Sequence, residues 1–233
     1  MSNPCFVVIP HAGASAATMK SLVENLSNIL PTVTLELPGR GRRWRESLLY
    51  TADEAIQDLA NQMKNIKFPI LIGYSLGAYL AIGVVHFTPV TTPFIVAISN
   101  APLYKHSYFL EKNALNLSEI EILNIARSFG SISPKILEDE IMRERAISIL
   151  RADFAVSDSF LRQHHKIKVD CDIAAIYGIE DYISSIEADK WKLSTSRELT
   201  LFNVPGGHFS VLKHPQLIYK FVEELLLIKT KGR

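Results

Sequence analysis

Six apolar runs of strand length alternate with helix-length amphipathic segments along this chain, and that alternation limits the fold more than any other feature. Residues 5–9, 32–37, 68–72, 94–98, 172–177 and 198–203 read as strands, and residues 15–30, 52–66, 76–87, 185–192 and 215–228 as helices. Such a rhythm builds a mostly parallel sheet covered by helices on both faces, an α/β fold. Start signals mark several helices. Thr51 with Glu54, Ser118 with Glu121 and Ser184 with Glu187 have capping-box spacing. Pro215 suits a first helical position, where its missing N–H costs no intrahelical bond.

One interval breaks the rhythm. Residues 101–169 show no clear strand, only helical stretches at 118–129 and 134–150. Connections in compact domains have a median of about 4–6 residues, so this stretch reads as a helical lid inserted into a single domain spanning 1–233. Its apolar positions Leu115, Leu117, Ile120, Ile122, Leu123 and Ile125 suit a helix packing onto the core, and equally the lining of an apolar ligand channel.

The third strand runs directly into Gly73-Tyr74-Ser75-Leu76-Gly77, a G-x-S-x-G turn leading into a helix. On such a turn Ser75 is the expected nucleophile, with its Oγ lifted off the sheet edge. The α/β-hydrolase fold then places an acid and a histidine after later strands, in that order. Glu180 and Asp181 follow the fifth run and His208 follows the sixth. Asp181 is the preferred acid, with Glu180 and the more distant Asp172 as alternatives. The backbone N–H groups of Leu76 and of Ala12, after the first strand, are the expected oxyanion donors. His11 reads as a turn or pocket-wall residue. Because esters, amides and thioesters share a tetrahedral oxyanion, this arrangement leaves the substrate open.

Charge and cysteine content narrow the partners. Lys plus Arg number 25 and Asp plus Glu 24, a net charge of +1, which argues against nucleic acid. The N-terminus has no basic segment followed by a long apolar run, so no signal peptide or membrane span is expected and the cytoplasm is the expected compartment. Cys5 and Cys171 fit neither a disulfide framework nor a metal cluster, and His164 and His165 read as surface residues. No metal or organic cofactor is expected. Oligomeric state is not legible, and a monomer is the default.

With those residues in place, the chain resembles the discrete, type II thioesterases of nonribosomal peptide and polyketide synthases, within the α/β-hydrolase superfamily. The likeness runs nearly end to end. It rests on Pro10-His11-Ala12-Gly13, Leu37-Pro38-Gly39-Arg40-Gly41-Arg42-Arg43, the Gly73–Gly77 turn with Ala78, Ala101-Pro102, Leu150-Arg151-Ala152-Asp153-Phe154, residues 178–181, Trp191 and Pro205-Gly206-Gly207-His208-Phe209. The resemblance implies hydrolysis of acyl or aminoacyl groups from the phosphopantetheine arm of carrier proteins. A small-molecule ester hydrolase or acyltransferase, a medium-chain fatty acyl-carrier-protein hydrolase and a non-catalytic carrier-binding protein are the alternatives. Arg40, Arg42, Arg43 and Arg45 follow the second strand, where they would contact an acidic carrier or form only a solvated loop. Two departures stand out. Ala14 replaces a usual Gly, at a cost of about 1 kcal/mol if that backbone needs positive φ, and Tyr74 replaces the His that usually precedes the nucleophile.

Overall fold

The computed structural model describes residues 4–100, 113–130, 136, 138–182 and 185–231. Its centre is a six-stranded sheet of β1 (Cys5–Ile9), β2 (Thr32–Thr34), β3 (Pro69–Tyr74), β4 (Phe94–Ile98), β5 (Asp172–Gly178) and β6 (Leu199–Val204), in the order β2-β1-β3-β4-β5-β6. Every pairing is parallel, with Val8 opposite Ile72 and Leu71 opposite Ile95. The four inner strands are buried on both faces, which is why they read as continuous apolar runs rather than alternating ones.

Helices cover both faces. Val7, Ile9, Leu71, Ile95 and Ile173 pack on one side beneath α2 (Ala52–Gln62), α3 (Leu76–Phe87) and the C-terminal half of α5 (Glu140–His164). On the other side Phe6, Val8, Ile70, Ile72 and Phe94 pack beneath α1 (Lys20–Leu26) and α8 (Pro215–Lys231). The chain lays β2 on one side of β1 and β3 on the other. A parallel sheet opens a crevice at such a reversal, outside the carboxyl ends of its strands. The turns after β1 and β3, carrying Ala12 and Ser75, therefore face each other.

Element boundaries differ from the sequence expectation in instructive ways. The second strand stops at Thr34, although Leu35, Glu36 and Leu37 are buried. The Leu35 N–H still reaches Val8 O, but the buried Glu36 carboxylate then accepts the N–H groups of Ala16 and Arg42 and draws the chain away. Residues 16–19 form a 3-10 turn ahead of α1, and another 3-10 turn follows α6 (Ser185–Asp189). The helix expected to end at 150 continues to His164 because Ile149, Ala152, Asp153, Val156 and Phe160 all lie inside. A short α7 (Ser210–Lys213) follows His208.

Among the described residues between β4 and β5 there is no strand. Ser118 caps α4 (Glu119–Phe129) by accepting from the Glu121 N–H, while the Glu121 carboxylate accepts from the Ser118 N–H. The helix stops at Gly130, whose φ of 73° is left-handed. Leu117, Ile122 and Leu123 pack against Ile147, Leu150 and Phe154 of α5, in a cluster separate from those on the sheet. Leu115 and Ile120 point outward, Ile120 at 70% exposure. The apolar stripe of this segment thus packs on α5, not directly onto the sheet. Residues 101–112, most of the start of the expected 134–150 helix, and Ser184 lie outside the described residues.

Candidate active site

Ser75 occupies the turn between β3 and α3 at φ 51° and ψ −114°, a strained conformation for a residue with a side chain. Bonds on both sides hold it there. Its N–H donates to Ile98 O at 2.8 Å, and its carbonyl accepts from the Asn100 side chain at 2.6 Å and the Ala78 N–H at 2.9 Å. The turn also requires Gly77. A Cβ at that position would stand 2.0 Å from Ile9 O and 2.8 Å from Pro10 O, so any other residue would push α3 off β1.

Three side chains the sequence singled out meet here. His208 Nε2 lies 3.1 Å from Ser75 Oγ, and its Nδ1 lies 3.0 Å from Asp181 Oδ2. The carboxylate can only accept, so Nδ1 carries the hydrogen, and Nε2 keeps its lone pair toward the serine hydroxyl. Asp181 also accepts the Tyr182 N–H at 2.8 Å, and its side chain and that of His208 are almost wholly enclosed. Glu180 lies outside this set: its side chain is exposed, and among the described residues its backbone N–H is engaged, on Gly206 O. Asp172 sits at the amino end of β5, where it accepts the Glu198 N–H.

Tyr74 fills the place before the nucleophile with a specific contact. Its hydroxyl donates to the His208 carbonyl at 2.6 Å, and its ring packs edge-on against His11 and Phe209. Burial pushes the phenol well above its usual range, so it remains a donor. Phe129, the last residue of α4, and Tyr182 lie over the imidazole at centroid distances of 4.8 and 5.8 Å. Neither aromatic was singled out in the sequence, since a lone exposed-looking aromatic carries no pattern.

The turn after β1 is equally ordered. The Ala14 N–H donates to His11 O at 3.1 Å, and Gly13 takes φ 78°, the arrangement of a turn with its left-handed residue in third place. Gly13 supplies the positive φ, so Ala14 is not strained. His11 Nδ1 donates to Ala12 O at 2.9 Å, and its buried Nε2 meets no partner among the described residues. Burial lowers its pKa to about 4, leaving a neutral ring. Among the described residues no acceptor takes the Ala12 or the Leu76 N–H, and both remain available to a ligand oxygen.

The arginine loop differs from its sequence reading. Arg40, only 6% exposed, turns inward to pair through two bonds with the fully buried Asp153 of α5, at 2.5 and 2.7 Å. Asp153 Oδ2 also accepts the Gly13 N–H at 2.6 Å. Arg43 spends its guanidinium on Asp58, Glu46 and the Glu36 carbonyl, and the bonds to Asp58 first and then to Glu46 raise its pKa. Neither is a free cation for a partner, because each side chain is largely enclosed and its guanidinium is hydrogen-bonded to carboxylates of the chain. Arg42 and Arg45 face outward, Arg42 84% exposed although its Nε lies 3.7 Å from Glu36 Oε2, and Arg45 over the exposed Trp44 ring at 4.7 Å. The inward pair left one trace in the sequence: Asp153 falls on the apolar face set by Ile147, Leu150 and Phe154, where an acid needs a partner.

Other titratable clusters are structural. His164 Nε2 pairs with Asp53 at 2.8 Å, and the ring is half-buried instead of standing on the surface. Cys171 is buried with its thiol pushed up to about 12 by desolvation, which leaves it unreactive. Among the described residues no helix is long and apolar enough to cross a membrane, and no three His, Cys, Asp or Glu side chains converge as a metal would need.

Comparison with known proteins agrees in fold and family. A model described as a thioesterase domain matches residues 5–226. Over 234 residues the chain is 23% identical to the medium-chain S-acyl fatty acid synthase thioesterase of Homo sapiens, covering 96% of this chain and 88% of that protein. It is 25% identical over 228 residues to the gramicidin S biosynthesis protein GrsT of Aneurinibacillus migulanus, covering 92% and 85%. Among solved structures, ClbQ from the colibactin NRPS/PKS pathway superposes over 100% of both chains with a TM-score of 0.87 at 22% identity.

Proposed function

The chain belongs to the thioesterase domain family, and from that premise we propose that it hydrolyses acyl or aminoacyl thioesters held on the phosphopantetheine arm of carrier proteins. The observation that carries the reading is the unbroken relay from Asp181 through His208 to Ser75, at 3.0 and 3.1 Å, beside two backbone N–H groups that have no acceptor among the described residues. Ser75 Oγ attacks the thioester carbonyl as His208 Nε2 takes its proton, and the Leu76 and Ala12 N–H groups receive the oxyanion. Collapse breaks the C–S bond, and the imidazolium protonates the departing sulfur. Water then attacks the acyl-serine with His208 again as base, releasing the acid. Asp181 holds the tautomer and steadies the imidazolium throughout.

A thiolate whose conjugate acid has a pKa near 8.5 departs more readily than an amide nitrogen, so this relay suffices for thioesters without strong acid assistance. Every step uses the chain's own groups, and the phosphopantetheine arrives with the substrate, so no cofactor is part of the scheme. Two relatives lend support to a carrier-bound substrate: the human one is named for fatty acid synthase, and GrsT for gramicidin S biosynthesis. Arg42 and Arg45, with Trp44, are the outward cations placed to meet an acidic carrier.

The test is a panel of acylated carrier proteins alongside the matching acyl-CoA and simple acyl esters. Higher kcat/KM on acyl-carrier protein, together with covalent labelling of Ser75 by a serine-directed reagent, is the expected result. Faster turnover of free esters would favour the small-molecule hydrolase instead.

A further inference from the structure

The strongest feature that the relay does not use is the buried group of Arg40, Asp153 and the Gly13 amide, which joins three segments far apart in sequence. Two consecutive peptides in the turn after β1 are held by it and its neighbours. The peptide between Ala12 and Gly13 is gripped at both ends, its carbonyl by the His11 Nδ1–H at 2.9 Å and its N–H by Asp153 Oδ2 at 2.6 Å. The peptide between His11 and Ala12 has its carbonyl on the Ala14 N–H at 3.1 Å, and its Ala12 N–H meets no acceptor among the described residues. The direction of that one donor is therefore set by the bonds around it.

A carboxylate is a strong acceptor for a backbone N–H, but its placement here has an electrostatic cost. In a water-poor site an unpaired anion one peptide away from Ala12 would oppose the negative charge that develops during acyl transfer. Arg40 removes the conflict. Its planar fork meets both carboxylate oxygens, at 2.5 and 2.7 Å, and the two side chains are almost completely enclosed. The loop carrying Arg40 is itself fixed: Arg145 of α5 donates to Gly39 O and Trp44 O, and Glu36 accepts the Arg42 and Ala16 N–H groups.

We propose that Arg40 and Asp153 are positioning residues for the hydrolysis, a neutralised anchor in which Asp153 aims the Ala12 donor by holding Gly13, and Arg40 cancels the charge that this grip would otherwise bring beside the oxyanion. The inference rests on the thioesterase reading and on Ala12 as a donor. It separates the role of charge from that of packing, because a pair that only filled space would respond to the sum of its losses.

The experiment measures kcat and KM of the full chain on an acyl-pantetheine thioester, with thermal melts to identify folded variants. Asp153→Ala frees the Gly13 amide, and kcat is expected to fall about 100-fold, the scale of a lost oxyanion donor, with KM within about 3-fold. Asp153→Asn keeps an acceptor oxygen and is expected to return kcat to within about 10-fold of the parent. Arg40→Gln leaves the anion unpaired and is expected to lose about 100-fold, while Arg40→Gln combined with Asp153→Asn regains at least about 10-fold over the single variant. A double variant no faster than Arg40→Gln, or Asp153→Ala within about 3-fold of the parent, overturns the anchor. Should Arg40→Gln not fold, Arg40→Lys keeps the cation but gives up the fork. It is expected to lose about 10-fold in kcat, and an unchanged kcat overturns the proposal equally. Turnover lost in Ser75→Ala but indifferent to Asp153→Ala removes the anchor alone. Turnover that survives Ser75→Ala removes the thioesterase mechanism and the anchor with it.

Discussion

Ser75, Asp181 and His208 stand on turns just past the carboxyl ends of β3, β5 and β6, whereas Asp153 reaches the same crevice from the middle of a 25-residue helix that belongs to no ladder. The first three owe their places to the sheet. Parallel registers fix where each strand ends, and one tight turn then aims each side chain. Helix α5 is held differently. Its N-terminal half packs on α4 and its C-terminal half on the sheet-facing core, and Asp153, bonded to the Gly13 N–H and to Arg40 113 residues away, ties it to the β1 turn. A site built this way has two kinds of weakness. Changes at the strand ends strike the chemistry directly, while changes on the helical side act through the placement of a backbone donor.

The largest effects expected from this contrast are at the relay. Ser75→Ala and His208→Ala should each lower kcat by at least about 10⁴-fold in folded protein, because the three groups act as a unit. Asp181→Asn should approach the same loss, and Glu180→Gln should stay within about 3-fold, since only the Asp181 carboxylate meets the imidazole. Steady-state rates with circular dichroism as the folding control decide the matter. The reverse ranking would move the acid role to Glu180.

Next in size is a pair of glycine substitutions, one from each region. Gly77→Ala places a methyl 2.0 Å from the Ile9 carbonyl and should cost about 3 kcal/mol or more in urea unfolding. Gly130→Ala, at the end of α4, has the same nominal change with φ 73° and nothing within 4 Å, so only the left-handed strain of about 1 kcal/mol applies. Equal costs would show that the strand-end turn has more freedom than its geometry implies.

Acid stability sharpens the comparison again. His11 in the fold binds a proton only near pH 4, against about 6.5 in an unfolded chain, mainly because it is buried. The unfolded state then takes up the proton first as pH falls, so stability present above pH 6.5 is lost progressively between 6.5 and about 4. Its ring faces Tyr74 and Phe209, and the charges acting on it are those of His208 and Asp153. His11→Gln should flatten that part of the curve of melting temperature against pH. An unchanged slope would assign the acid sensitivity elsewhere.

The smallest effects belong to the outward arginines. Replacing Arg42 and Arg45 by Gln should reduce kcat/KM on acyl-carrier protein by a few-fold at low salt, leave small thioesters alone, and lose its effect as ionic strength rises. An equal response from both substrates would mean that the loop shapes the pocket rather than the encounter.

The comparison also explains what could be read in advance. The alternation of apolar runs with amphipathic segments specified the parallel sheet, because a strand buried on both faces must be apolar at every position. Local chemistry specified the capped helices at Thr51 and Ser118 and the turn at Ser75, since a capping box or a G-x-S-x-G turn is complete within a few residues. The end of the second strand and the continuation of α5 to His164 escaped, for the Glu36 carboxylate meets the Ala16 N–H 20 residues away and Asp153 meets Arg40 113 residues away.

The sequence by itself determined the order of strands and helices, and the residue types offered at the strand ends. Those signals are local and periodic. Only the tertiary structure decided that Asp181 and not Glu180 faces His208, that Tyr74 bonds the His208 carbonyl, and that Arg40 turns inward to Asp153 while Arg42 and Arg45 stay in solvent. Neighbouring residues of one loop differ by which way a single dihedral points them. That direction is chosen by the burial and hydrogen-bond partners the whole fold brings together, and a charged side chain enters the interior where a counter-charge, as for Asp153, or backbone donors, as for Glu36, receive it.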